Sequence, residues 1–492
     1  MGPIFDQHGV EQGGCNSSDF YKLYNNDLLK ILQSSGQGVH LGSKLTVSAI
    51  GQADDIVLAS NDIYMLYNLL LLTLDYCKRF CIKLSAGKTK LLKFSAISTP
   101  LCLNPVVIDS KVIEFSGEAE HVGVVRSTCG NIPNLMNRTH CSDKAINSIL
   151  ACGLARAHRS NPAACIRVMS LYSTPVLLSG LASLVMNQSE TNIINQYHKN
   201  KLRCYQKLHE GTPQSFIYFM AGCLPATALL HLRQFSLFGM ICRLPGDPLH
   251  QHAQYILTIS KHNNPSWFTN IRKRCLQYDL PHPLSFLESP PSKYHFKKLI
   301  KSKVVQYWER KLREEASLMS SLVHFKPELL SLTRPHPVWW TAGSNPYEVS
   351  KAIVQCRMLS GRYRTQKLSS HWSEYGDSSC PSPFCTQVVE SLEHILLHCP
   401  SYALARANIQ TKVELIQHTA VASLVTASLS RPPEYLLQFL LDASVLQETR
   451  SLVQLHGENT LFIIFNITRT WCYSVHRDRL KLLEVMKSDS VY

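Results

Sequence analysis

Two places in the chain gather side chains that handle a cation. Asp54 and Asp55 stand side by side in Gly51-Gln52-Ala53-Asp54-Asp55-Ile56-Val57-Leu58-Ala59, between two apolar, β-prone runs. A hairpin there exposes both carboxylates at its tip. Successive strand side chains point to opposite faces, so one carboxylate is directed toward a bound cation and the other is peripheral. Mg²⁺ takes oxygen ligands and keeps few protein ligands beside substrate phosphates, which suits such a tip to phosphoryl transfer. Taken alone, the pair is more simply read as a solvated turn. The second group is Cys380, Cys385, His394 and Cys399, in the pattern Cys-x4-Cys-x8-His-x4-Cys. Thiolate and imidazole together suit tetrahedral Zn²⁺. His398 competes with His394 as the nitrogen ligand.

The elements that position these groups read as α+β at the start of the chain and mostly helical beyond it. Leu45–Ile50 and Ile56–Ala59 are expected as strands flanking the acidic turn, and Ile63–Phe80 has helical periodicity. Ser142 is expected to cap a helix running through Ala157, and Asn161-Pro162 reads as N-cap plus first-turn proline of the next. Seven prolines between Pro245 and Pro291 break helical pattern and suggest an irregular connection. Four regions follow: 1–138, 139–244, 245–338 and 339–492.

A chain of 492 residues with 45% hydrophobic and 17% charged residues buries real cores. Its 50 Lys and Arg against 35 Asp and Glu leave +15, which favours a polyanionic partner such as nucleic acid. Seventeen cysteines without a regular framework, and no secretory leader pattern, imply reduced thiols and an intracellular protein of the nucleus or cytoplasm. On that basis the four Asn-x-Ser/Thr sequons, at Asn16, Asn137, Asn187 and Asn466, are chance matches. Apolar runs such as Leu69–Leu72 and Leu461–Phe465 fall far short of the ~20 residues that span a bilayer, so no membrane helix is expected.

The acidic segment resembles the Ala-Asp-Asp signature of reverse transcriptases, and other pieces flank it in that family's order. Gly9-Val10-Glu11-Gln12-Gly13-Gly14, continuing to Leu23-Tyr24-Asn25-Asn26-Asp27-Leu28, resembles the Gly-Val-Pro-Gln-Gly motif and its helix. Leu84–Thr89, with Lys88, resembles the following motif. His121-Val122-Gly123-Val124 resembles the strand-turn that grips the primer. At the far end, Glu390-Ser-Leu-Glu-His-Ile-Leu-Leu-His-Cys-Pro400 resembles the C-terminal Cys-Cys-His-Cys segment of LINE-type proteins. The resemblance is to the C-terminal half of a non-LTR (LINE-like) retrotransposon reverse transcriptase. It implies a partial palm followed by a helical thumb and a C-terminal region with a small zinc-binding segment. It also implies catalysis and Mg²⁺ binding at Asp54 and Asp55, and nucleotide contacts from Gln12, Gly13, Gly14 and Lys88. Further implications are a primer grip at Val122 and Gly123, zinc on Cys380, Cys385, His394 and Cys399, and RNA template and DNA primer as partners, with no membrane.

Three stretches carry basic and aromatic residues suited to phosphate contact and base stacking. The first holds Lys199, Lys201 and Arg203, the second Lys298, Lys301 and Trp308, and the third Arg357, Arg362 and Arg364, just ahead of the Cys/His group. The chain also departs from the family. Gln52 stands where an aromatic residue is usual, and Glu11 where proline is usual. The family's further aspartate lies on a strand upstream of the Gly-Gln-Gly segment, where only eight residues precede Gly9 and Asp6 is too close to the motif. The resemblance covers neither the family's fingers nor an endonuclease domain, which are expected to be absent here. The expectation is a truncated polymerase, inactive alone; the alternative is a non-catalytic remnant that still binds RNA or DNA.

Overall fold

A computed structural model of the chain describes residues 15–41, 45–94, 106–108, 111–113, 115–149, 151, 160–259, 266–370 and 377–489. Gln12, Gly13 and Gly14 lie outside the described residues. The first helix, α1 (Ser17–Ser34), is followed by four short strands, β1 (Val39–Leu41), β2 (Leu45–Val47), β3 (Ala49–Gln52) and β4 (Asp55–Leu58), and by α2 (Ile63–Arg79). The carboxylate of Asp62 caps α2 by accepting from the backbone N–H groups of Tyr64 and Met65. Both helices turn their apolar stripes inward, burying Leu28, Leu32, Leu69 and Tyr76, and Ala49, Ile56 and Leu58 of the β3–β4 hairpin pack on that core. Two more hairpins follow, β5 (Val106–Ile108) with β6 (Lys111–Ile113), and β7 (Glu118–His121) with β8 (Val124–Ser127).

All four strand pairs are antiparallel, and each is a separate two-stranded sheet. The chain is therefore mostly helical with small strand pairs, an α+β composition. Among the described residues the pairs do not join into one palm-like sheet.

Helices continue through the rest of the chain. Three are α3 (Ile132–Ile149), α4 (Pro162–Val168) and α5 (Thr174–Leu177), followed by α6 (Gln188–Tyr205), α7 (Gln214–Ala221) and α8 (Ala226–Cys242). Next come α9 (Pro248–Ile259), α10 (Trp267–Gln277), α11 (Pro283–Glu288) and α12 (Lys293–Ser317). The chain proceeds through α13 (Pro337–Trp340), α14 (Pro346–Leu359), α15 (Gln366–Ser370) and α16 (Ala403–Glu414). It ends in α17 (Thr419–Leu429), α18 (Pro433–Asp442), α19 (Gln447–His456) and α20 (Asn459–Asp489).

Asn161 caps α4 as its sequence implies, accepting from the Ala163 N–H at 2.8 Å. Ser142 does not cap a helix. It lies inside α3, buried, with its hydroxyl bonded to the carbonyl and hydroxyl of Ser173 at 3.1 and 2.7 Å. The start signal was Pro133, in the first turn of α3, where a missing N–H costs nothing. The same effect corrects the reading of the proline-rich stretch. Pro248 and Pro283 begin α9 and α11 instead of interrupting helices.

The chain divides into two compact units. One comprises Met1–Arg138, Ser179–Glu190 and Arg233–Lys297, with Phe235, Phe238 and Tyr278 buried in its helical part. The other comprises Thr139–Leu178, Thr191–Leu232 and Lys298–Tyr492, around Phe216, Tyr218, Phe219, Trp339, Phe439 and Phe465. Every cysteine among the described residues is a free thiol. No single described helix is long and apolar enough to cross a membrane.

Gly222 ends α7 in the left-handed region at φ 60°, and a Cβ there would collide with the backbone of Arg334 and Pro335. Gly246 also has positive φ, 86°, but faces open space. Gly246→Ala is therefore expected to cost only the ~1–2 kcal/mol of left-handed backbone strain. Gly222→Ala adds a steric clash and is expected to lower the urea midpoint well beyond that. Equal midpoints for the two variants would contradict this packing.

Candidate metal centre

The four Cys/His residues come from two local devices. Ser379 and Val389 form a short antiparallel bridge. The Cys380 N–H donates to Val388 O at 2.7 Å and the Cys385 N–H to Ser382 O at 3.0 Å, so the first two ligands sit in a folded-back turn. The second device is the wide π-helical turn His394–His398. There the Cys399 N–H donates to His394 O at 2.8 Å, closing the turn between the third and fourth ligands.

Their ligand atoms all lie within 4.8 Å of one another. Cys380 Sγ and Cys385 Sγ are each 3.8 Å from Cys399 Sγ, and Cys385 Sγ is 3.4 Å from His394 Nε2. Zn–S bonds of ~2.3 Å and Zn–N bonds of ~2.0 Å at tetrahedral angles imply S···S near ~3.8 Å and S···N near ~3.5 Å. The donor set fits one tetrahedral cation. It does not fit a disulfide, whose sulfurs stand ~2.05 Å apart. His398 is settled as outside the set, because its half-exposed ring lies 3.3 Å from the Glu393 carboxylate.

Burial pushes the Cys380 thiol up to about 12 and also raises Cys399, since a low-dielectric site disfavours thiolate. Burial lowers His394, which keeps its ring in the neutral, ligating form. A bound cation reverses the thiol preference, so metal binding and thiol deprotonation are one event here.

The segment is fastened to the last long helix. Glu390, fully buried, takes a two-pronged ion pair from Arg479 of α20 at 2.8 and 2.7 Å and accepts from the Gln366 N–H at 2.6 Å. Burial acts to lower Arg479, but the hydrogen bonds and charge of Glu390 hold it above its ordinary value. Trp471 of α20 donates its indole N–H to Leu396 O at 3.1 Å, and Arg406 donates to Cys399 O at 2.8 Å. Sequence reading singled out neither Arg479 nor Trp471. The available signal was an acidic residue, Glu390, within an apolar segment that needs a buried cation.

The other expected site residues are placed as follows. Asp54 and Asp55 sit exposed at the tip of the β3–β4 hairpin, where Gln52 pairs with Asp55 across a two-residue turn. Ala53 takes φ 52°, and its carbonyl accepts from the buried Asn25 of α1 at 3.2 Å. Among the described residues no third His, Cys, Asp or Glu gathers with the two carboxylates. Lys88 is exposed in a turn closed by Ser85 O. Val122 and Gly123 form the tip between β7 and β8 at φ 50° and 70°, an unusual conformation for β-branched valine.

Of the basic residues, Lys199 is half-buried, Lys201 pairs with Asp143 at 2.6 Å and Arg203 donates to Leu208 O at 3.2 Å. Lys298 and Lys301 are exposed along α12. Trp308, expected to stack on bases, is instead a core side chain with 7% exposure and Lys311 over its ring. Its position on α12 faces inward, so the indole is removed from the basic surface. Arg357 donates to Lys207 O at 2.8 Å, Arg362 is half-buried and Arg364 is exposed. Comparison with known protein families and with curated proteins finds no match.

The purified chain is expected to carry one zinc per molecule by elemental analysis. Cys385→Ser with Cys399→Ser should abolish it, and His398→Ala should retain it. Full zinc in the double serine variant would exclude this ligand set.

Proposed function

We propose that the chain is the C-terminal part of an RNA-directed DNA polymerase of the non-LTR retrotransposon kind, and that residues 1–492 alone hold nucleic acid without copying it. The observation that carries this reading is the acidic hairpin: two adjacent carboxylates presented by a tight turn, with motif resemblances on both sides in the family's order. In two-metal phosphoryl transfer, carboxylates hold Mg²⁺ ions that stabilise the attacking and leaving oxygens. Asp54 and Asp55 suit one part of that task. Lys88, in its exposed turn, suits contact with a triphosphate, and the Val122–Gly123 tip suits contact with a primer strand.

The described residues supply no further carboxylate beside Asp54 and Asp55. The expected result with labelled nucleotide, an RNA template, a DNA primer and Mg²⁺ is therefore no incorporation. Synthesis that is lost on Asp54→Asn would overturn the inactive part of the proposal and establish the polymerase part.

The second reading, a non-catalytic RNA- or DNA-binding remnant, is favoured by Lys298 and Lys301 on α12 and by Arg364 ahead of the Cys/His segment, all exposed. Each phosphate contact releases counterions. Replacing these three together is expected to lower the log–log salt slope of single-strand binding by roughly three, about one per side chain. Trp308→Ala is expected to destabilise the fold by ~3–5 kcal/mol and leave the slope unchanged. Fluorescence anisotropy across a salt series measures the slope. A full slope in the triple variant removes these residues from the interface.

A further inference from the structure

Three helices of the second unit line a partly open cavity of about 580 Å³ that neither reading above uses. Its walls come from α14, α16 and α20, and the loop between α16 and α17 forms its rim. That volume is within the range of small-ligand sites.

The charge around it does not balance. Lys351 and Arg469 have side chains only 7% and 5% exposed, and both pair with one carboxylate, Glu348, at 2.7 Å each. Glu348 itself lines the cavity and the Lys351 ammonium also lies over the Tyr347 ring at 4.5 Å, but no other carboxylate pairs with either cation among the described residues, so two buried positive charges share one negative charge. Burying a cation is costly unless an anion compensates it. Lys351 spends two of its three N–H donors on Glu348 and Thr470. Lys412 lines the same cavity, is exposed, and has no ion pair among the described residues. His418 accepts the Val421 N–H through Nδ1, which leaves Nε2 as the ring nitrogen that can meet a ligand at the rim. The first turn of α17, which His418 caps, carries no acidic residue. Ile409, Ile463 and Ile467 supply an apolar part of the lining.

We infer that this cavity binds an organic phosphate, with its oxyanion among Lys351, Lys412 and His418 and its body against the isoleucines. The inference stands on the charge and shape of the cavity and is independent of the polymerase reading. The phosphate can belong to a free nucleotide or to a strand end, and the two are separable by experiment.

The test is calorimetric titration of the full zinc-loaded chain with dTMP, inorganic phosphate and an oligothymidylate with or without a 5′-phosphate, at constant ionic strength. The expected result is that dTMP binds at least about tenfold more tightly than inorganic phosphate, and that Lys412→Ala weakens it about tenfold. Lys412 is exposed, so that variant is expected to keep the native circular dichroism spectrum. Lys351→Met is a second variant expected to lose binding, and if it fails to fold, Lys412→Ala alone decides. Binding of dTMP but not of the phosphorylated strand assigns a free nucleotide, and phosphate-dependent binding of the strand assigns a strand end. No binding of any probe, equal affinity for dTMP and inorganic phosphate, or unchanged affinity in Lys412→Ala overturns the inference.

Discussion

The C-terminal part of the protein depends on one buried charge. Glu390 has no access to water, and a bare carboxylate in that position would cost several kcal/mol. Arg479 removes the cost with a two-pronged contact, and the Gln366 N–H adds a third bond. Because Arg479 is on α20 and Glu390 precedes the His394 turn, the pair fixes the last helix against the segment that holds the ligands. Removing one partner of such a pair typically destabilises by ~3–5 kcal/mol, since the other charge is left buried alone. An apolar pair of matching shape would stabilise as well. What the ions add is a single docking register for α20, to which Trp471 contributes a second directional bond through Leu396.

That register makes the metal centre a consequence of packing as much as of spacing. Three thiols and an imidazole are held together where burial raises the Cys380 and Cys399 thiols and lowers the His394 ring. The donor atoms already stand within 4.8 Å of one another, with Cys399 Sγ 3.8 Å from both other sulfurs, so a cation entering there gathers them with small movements and displaces protons. The wide turn His394–His398 matters because it points His394 inward and leaves His398 with Glu393 at the surface. An ordinary helical turn would space the two histidines differently relative to Cys399.

The acidic hairpin follows a different logic. Its register is set locally, by a two-residue turn with Ala53 in the left-handed region, and one side chain from α1, Asn25, ties down the turn carbonyl. The carboxylates are left exposed. Such a tip can present charge to a partner, but it holds a metal only if further ligands join it.

Several features were determined by the sequence itself because their causes lie within a few residues. Apolar, β-prone runs on either side of Asp54-Asp55 make the hairpin, periodicity makes α2 over Ile63–Arg79, Asn161-Pro162 starts α4, and the Cys-x4-Cys-x8-His-x4-Cys spacing names the donor set. Other features were decided by contacts distant in sequence, which no local pattern reports. The choice of His394 over His398 depends on which face of one turn meets the buried cysteines. Ser142 looked like a cap, but inside α3 its hydroxyl is taken up by Ser173, 31 positions away. Trp308 belonged as readily to a stacking surface as to a core until α12 turned it inward. The pairings of Glu390 with Arg479 and of Glu348 with Arg469 join residues 89 and 121 positions apart. Burial makes such long-range pairs compulsory, because a charge removed from water needs a partner wherever in the chain one can be found.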